Sequence, residues 1–278
     1  MKRGKNSAPK RQSRLSAVSV LHYFRLVYRS VLLLLVGYWY ISTRLSGATL
    51  SVRNAEKIPI LTVVWAVFMV EMVMRFFPFR LESPGCQKQF RRNYEPTGRT
   101  DVKLHDNNAV VMVALVWIVF NGVIGALHMT GLLDDGILML ICLAYSVCDI
   151  ICILFFCPFQ TLFLKNRCCS SCRIYNWDYA MMFTPCFFMP GKYTWSLLAA
   201  AVILLLRWEI TVWLFPERFS ENTNQYLACA NCTEKLCTHK TQLMSFQRGL
   251  KQYADHTAKR ILRNYGSKAE VREAPKQR

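Results

Sequence analysis

The stretch Ile174-Tyr-Asn-Trp-Asp-Tyr-Ala-Met-Met-Phe-Thr-Pro-Cys-Phe-Phe-Met189, followed by Pro190-Gly191, decides how this chain is read. It is apolar apart from Asn176 and Asp178. As an α-helix its 16 residues rise about 24 Å, a little short of the ~30 Å hydrocarbon core of a bilayer. Directly before it stands Cys168-Cys169-Ser-Ser-Cys172, and beyond the next apolar run stands Cys229-Ala-Asn-Cys232, with Cys237 further on. If the stretch crosses a bilayer, the two cysteine clusters share one side. If it re-enters, they lie on opposite sides.

The rest of the chain favours crossing. Of the 278 residues, 53% are apolar, yet the formal net charge is +18. Those two properties coexist when apolar residues are gathered into spans and basic residues into the segments between them. Six spans are predicted, at about 24–43, 58–77, 109–127, 137–156, 174–189 and 193–215, within a helical transmembrane domain covering 17–215. Under this count, 27 of the 35 Lys and Arg fall on one side, 4 on the other and 4 within spans. The positive-inside rule then places both termini in the cytosol. The expected fold class is an all-α integral membrane protein with cytosolic termini and cytosolic cysteine clusters, residing as a multi-pass protein in the plasma membrane.

Around this domain the chain divides further. Residues 1–16 are expected to form a basic, disordered arm, 216–241 a cytosolic Cys-rich segment and 266–278 a disordered tail. Between them, 242–265 carries Leu243, Phe246, Leu250, Tyr253, Ile261 and Tyr265 at helical spacing among Arg and Lys. This predicts a basic amphipathic helix on anionic inner-leaflet lipids or on a membrane-protein partner. Because the positive charge follows membrane orientation, it is not read as a nucleic-acid surface. Arg25 and Arg29, in the first turns of the first span, are expected to snorkel to the interface.

The chemistry suggested by the sequence lies in the cysteines. A Cys-x-x-Cys aims two thiolates of one tight turn at one ion, and two such turns complete a tetrahedral four-sulfur site. Cytosolic thiols stay reduced, so a metal explains the clusters better than disulfides do. The expected ligands are Cys169, Cys172, Cys229 and Cys232, with Cys168 and Cys237 as further or alternative ligands, and zinc is the expected occupant. An iron–sulfur cluster or metal-free thiols are the alternatives. Cys142, Cys148, Cys152, Cys157 and Cys186 fall in or beside apolar runs and read as small buried hydrophobes.

A second constellation lies within the spans. Glu71, Asp149 and Arg207 share one depth, with Arg75 one turn from Glu71 and Glu209 half a turn deeper. A charge at the bilayer centre costs about 2.5–3.5 kcal/mol, so charges in one layer face one another. The expected pairs are Asp149 with Arg207 and Glu71 with Arg75. Asn121 reads as an interhelical hydrogen-bonding residue.

No Gly-rich phosphate loop, His-Glu zinc-protease pattern or Gly-x-Ser-x-Gly elbow occurs in the sequence, which argues against several soluble enzyme classes. Three functions follow from what is present. The first is a binding, assembly or regulatory component tied by a thiolate metal site. The second is a membrane oxidoreductase or electron-transfer subunit, and the third a transporter using the polar layer.

Overall fold

The computed structural model describes residues 17–46, 58–78, 84–104, 106–164, 171–228 and 231. The arm 1–16, the helix expected at 242–265, the tail 266–278 and five cluster cysteines (Cys168, Cys169, Cys229, Cys232, Cys237) lie outside them. Within the described residues the fold is all-helical, with an isolated bridge between Pro96 and Asn224 and no strand. Its α-helices are α1 (Ala17–Leu45), α2 (Pro59–Met74), α3 (Pro84–Gln89), α4 (Asn107–Met129), α5 (Asp135–Leu154), α6 (Asp178–Met182) and α7 (Lys192–Leu214).

Four of these, α1 over Val20–Leu45, α4, α5 and α7, are long and apolar enough to cross a membrane, and α2 is a shorter apolar helix. Their outward faces are strongly apolar: Leu34, Ile118, Val119, Ile203 and Trp213 are all more than half exposed. Water-soluble proteins rarely leave so much contiguous apolar surface open.

Local sequence sets the helix ends. Asp106 caps α4 by accepting from the Asn108 amide at 3.0 Å, and Asp134 caps α5 through the Ile137 amide at 2.9 Å. Pro59 opens α2 at a position where no amide donor is needed. The α4–α5 hairpin turns on Gly131, whose φ of 79° is in the left-handed region. Its amide bonds His128 O at 2.9 Å and the Leu132 amide bonds Leu127 O at 3.1 Å, the two bonds of a Schellman motif.

The expected helix over 174–189 is not continuous. It is a 3₁₀ turn at Arg173–Trp177, the five-residue α6, and a second 3₁₀ turn at Thr184–Phe188. Two residues explain the break. Pro185 has no amide to bond the preceding turn, and the Thr184 hydroxyl takes the Ala180 carbonyl at 2.8 Å. The segment is nevertheless core: Tyr179, Met182, Cys186 and Met189 are buried between α5 and α7. On its α4 side, Phe188 lies so close to Gly125 that a Cβ there would overlap the ring.

Side-chain contacts give each segment a direction. One end, the hairpin end, joins Tyr40 to Asp134 at 2.9 Å, Trp65 to Ser196 at 2.8 Å and Thr194 to Met189 O at 2.6 Å. At the other, Tyr23 meets Phe155, Arg207 reaches Phe76 O at 2.7 Å and Arg173 meets Glu209 at 2.6 Å. So α1, α4 and the broken segment run toward the hairpin end, while α2, α5 and α7 run away from it.

Candidate functional site

Two neighbouring features lie toward the end opposite the hairpin: a buried ionic lattice and a thiol-lined cavity. The lattice is built on Arg29, whose side chain is fully buried. Its guanidinium bonds Glu71 Oε2 at 2.8 Å, Asp149 Oδ2 at 3.3 Å and the Ser146 carbonyl at 2.9 Å, and it stacks 5.4 Å from the Phe68 ring centroid. Glu71 is also held by Arg25 at 3.6 Å, by the Tyr28 hydroxyl, and by the Tyr179 hydroxyl at 3.2 Å. Arg75 pairs with Asp178 at 2.5 Å and lies over the Tyr179 ring at 4.8 Å. His22 is fully buried within electrostatic reach of Arg25, Arg29 and Arg75, and neither ring nitrogen has a hydrogen-bond partner among the described residues.

Three arginines thus face three carboxylates (Glu71, Asp149, Asp178), and their charges balance. Balanced burial of this kind follows from the large penalty on an unpaired ion in a low-dielectric interior. It fixes the rotation of α1, α2, α5 and the broken segment against one another.

Of the residues assigned to the polar layer, Glu71, Arg75 and Asp149 lie in this lattice, and their pairing differs from the one expected. Asp149 pairs with Arg29 in place of Arg207, and Glu71 with Arg29 and Arg25 in place of Arg75. Arg207 instead donates to Phe76 O and stacks on Phe76, Phe90 and Trp208. Glu209 accepts from Arg173 at 2.6 Å and from the Trp177 indole at 2.7 Å. Arg25 and Arg29 do not snorkel, because carboxylates on α2 and α5 satisfy them in place. Asp178, which as a sequence feature reads as helix-entry charge, is the lattice's third acid. Asn121 bonds Trp117 O and accepts from Tyr145, as an interhelical residue should.

The lattice was partly visible in the sequence. His22, Arg25 and Arg29 are spaced three and four residues apart, which puts them on one face of α1. An apolar helix that turns three such residues inward has partners waiting.

Beside the lattice lies a cavity of about 270 Å³ whose wall includes Asp149, Asp178, Gln160, Trp117 and four cysteines: Cys148, Cys152, Cys157 and Cys172. Cys148 is exposed, Cys152 and Cys157 are half-buried and Cys172 is buried. For the first three, the expectation of small buried hydrophobes is corrected: α5 presents Cys148 and Cys152 to the cavity, and the chain turns Cys157 back under them after the helix ends. Cys142 and Cys186 are buried as expected, with sulfurs 3.7 Å apart.

Of the expected metal ligands, only Cys172 is described. Among the described residues no three His, Cys, Asp or Glu side chains are placed to hold one ion. What is described is the chain that follows Cys172 and the chain that precedes Cys229. At this end residues 84–104 form a platform. Asn176, just past Cys172, donates to Gln89 at 2.8 Å. Asn224, ahead of Cys229, donates to Lys88 O at 3.0 Å, and the Gln225 amide bonds Glu95 O at 2.7 Å. The Lys103 amide bonds Ser220 Oγ at 3.0 Å, and Asn231 Nδ2 closes onto Gln225 O at 3.2 Å.

Comparison of the chain with protein-family models, with curated proteins and with solved structures finds no match. Its functional reading accordingly rests on its own residues.

Proposed function

We propose that the chain is a membrane protein of six crossing segments whose two cysteine clusters meet at the cytosolic end in a thiolate metal site, acting as a binding, assembly or regulatory component. The observation that carries this reading is the shared platform. Residues flanking the first cluster (Asn176) and the second (Asn224, Gln225) bond the same stretch, 87–95. Chain that leaves this end through the broken segment returns to it through α7.

Stacked end to end, the pieces of the broken segment would reach at most about 29 Å, because its two five-residue 3₁₀ turns rise ~2.0 Å per residue in place of ~1.5 Å, against a hydrocarbon core of ~30 Å. Its burial between α5 and α7 keeps the irregular backbone away from lipid, the condition under which such backbone is tolerated at membrane depth. The charge asymmetry of the sequence sets the orientation, with both termini in the cytosol.

In this reading Cys169, Cys172, Cys229 and Cys232 hold one zinc ion, with Cys168 and Cys237 as reserve ligands. The site staples the ends of α5, the broken segment and α7, and its binding free energy adds to folding. The lattice around Arg29 is the scaffold's own ionic core, because its charges balance without a ligand. Metal analysis and an absorption spectrum of purified protein test the reading. One zinc per chain in a colourless sample supports it. Stoichiometric iron with visible absorption transfers the site to the electron-transfer alternative.

A further inference from the structure

The three acids of the lattice differ in how fully their oxygens are used. Glu71 is saturated: Oε1 accepts from the Tyr28 hydroxyl and faces Arg25 at 3.6 Å, while Oε2 takes Arg29 at 2.8 Å and the Tyr179 hydroxyl at 3.2 Å. Asp178 is complete as well, with Arg75 on Oδ2 at 2.5 Å and the Tyr179 amide on Oδ1 at 2.9 Å. Asp149 has a single side-chain contact, Arg29 on Oδ2 at 3.3 Å, and its Oδ1 has no hydrogen-bond or ion-pair partner among the described residues. Its side chain is also the most exposed of the three, at 17%, and it stands in the wall of the 270 Å³ cavity.

The wall around that oxygen offers it little. Trp117 and Tyr145 pack with ring centroids 4.8 Å apart, and Trp117 and Phe159 with centroids 6.0 Å apart. The Trp117 indole N–H is spent on Thr184 at 3.1 Å and the Tyr145 hydroxyl on Asn121 at 3.3 Å, so neither donor is left for Asp149. Met181 and Met182 add thioethers. Cys148 lines the cavity and is exposed, so the cavity opens on the surface of α5, one of the helices long and apolar enough to cross a membrane.

We propose that this cavity binds an uncharged, membrane-soluble alcohol, with its apolar body against the rings and thioethers and its hydroxyl donating to Asp149 Oδ1. Charge decides the class. Three arginines already balance three carboxylates, so a cation at Asp149 leaves a positive charge uncompensated in a low-dielectric interior, and an anion meets the carboxylate itself. A hydroxyl adds no charge and supplies the donor that Oδ1 lacks. Hydrogen bonds to an ionised acceptor are roughly twice as strong as neutral ones, and stronger still away from water. Gln160 and Tyr175, also in the wall, are uncharged and leave this balance unaltered. A hydrocarbon chain gains little by leaving lipid tails for an apolar cavity, so the hydroxyl gives the site its selectivity. The site is separate from the proposed zinc site and rests on the membrane reading only in that its ligand arrives through lipid.

The test uses the full chain in nanodiscs of phosphatidylcholine, a lipid without hydroxyl groups. Dodecanol carrying a diazirine on its chain is photolysed in the sample, and adducts are mapped by peptide mass spectrometry. Labelling should saturate and fall on the wall, at Trp117 and within 145–159. At equal fraction in the bilayer, unlabelled dodecanol should compete about tenfold or more better than its methyl ether, which cannot donate, and better than dodecylammonium. Asp149→Asn keeps an amide oxygen for Arg29 and turns its NH₂ to the cavity; labelling should persist while the preference for alcohol over ether disappears. Equal competition by alcohol and ether on the wild-type chain overturns the proposal. So does stronger competition by dodecylammonium, or unsaturable labelling spread over exposed apolar positions such as Leu34 and Ile118. These outcomes are read on the wild-type chain, so they decide the matter even where the variant folds poorly. Zinc is measured in the same samples: saturable labelling of the wall in chains without zinc rejects the metal site alone.

Discussion

Replacing Arg29 by methionine keeps the aliphatic packing of α1 and removes one charge from the middle of the lattice. Asp149 loses its ion-pair partner at 3.3 Å, and Glu71 loses its closest arginine contact, at 2.8 Å, while keeping Arg25 at 3.6 Å. Breaking a buried pair from one side costs about 3–5 kcal/mol, because the remaining ion stays desolvated. For a chain of this size about 1 kcal/mol moves Tm by roughly 2–4 °C, so the loss predicted is about 6–20 °C. Thermal unfolding in detergent, followed by tryptophan fluorescence, reads it directly. Asp149→Asn should relieve part of the defect in the Arg29→Met background, with a coupling of about 0.5–3 kcal/mol. The same Asp149→Asn combined with Arg207→Met should be additive within about 0.5 kcal/mol, since Arg207 engages Phe76 O and aromatic rings instead. A shift below about 2 °C for Arg29→Met, as expected for a snorkelling surface arginine, would refute the lattice.

Three other perturbations follow from single contacts. Asn224→Ala removes donors from Lys88 O and Arg218 O and the acceptor of the Tyr226 amide; it should cost about 1–3 kcal/mol in the same unfolding assay. Gly131→Ala forces a Cβ into the left-handed region at φ 79° and should cost about 1–2 kcal/mol, whereas Gly122→Ala, with open space around it, should be neutral or stabilising. Cys169→Ser or Cys232→Ser should release zinc, measured by atomic emission, and lower Tm together. Unchanged metal content in both variants removes the shared four-thiolate site.

Much of the architecture is legible in the residues because lipid leaves few choices for an apolar run of about 20 residues. The runs at 109–127, 137–156 and 193–215 appear as α4, α5 and α7 with ends shifted by only a few residues. Asp106, Asp134 and Gly131 mark the ends by capping chemistry that is readable residue by residue. The broken segment is different. Its hydropathy is that of a span, but Thr184-Pro185 stops the α-helix, and whether the backbone then continues as 3₁₀ or folds back depends on α5 and α7 packing around it. The lattice was half legible for a related reason. Sequence depth places Glu71, Asp149 and Arg207 in one layer, yet partner choice is set by helix rotation, which brings Arg29 to Asp149 and leaves Arg207 against Phe76. Asp178 was hidden because an acid at a helix start has a local role as well as a tertiary one. The cavity cysteines were hidden because an apolar run does not reveal which face of α5 is left uncovered.

The central claim is that the broken segment returns the chain across the membrane, so that both cysteine clusters share the cytosolic side. Topology reporters fused before Ala17 and after Tyr265 of the full chain test it most directly. The account predicts that both report the cytosol, and that Asn231-Cys-Thr233 is never glycosylated in a host competent for it. A cytosolic N-terminal reporter paired with an external C-terminal one would mean that 173–189 re-enters, would place Cys172 and Cys232 on opposite sides, and would end the case for a shared metal site.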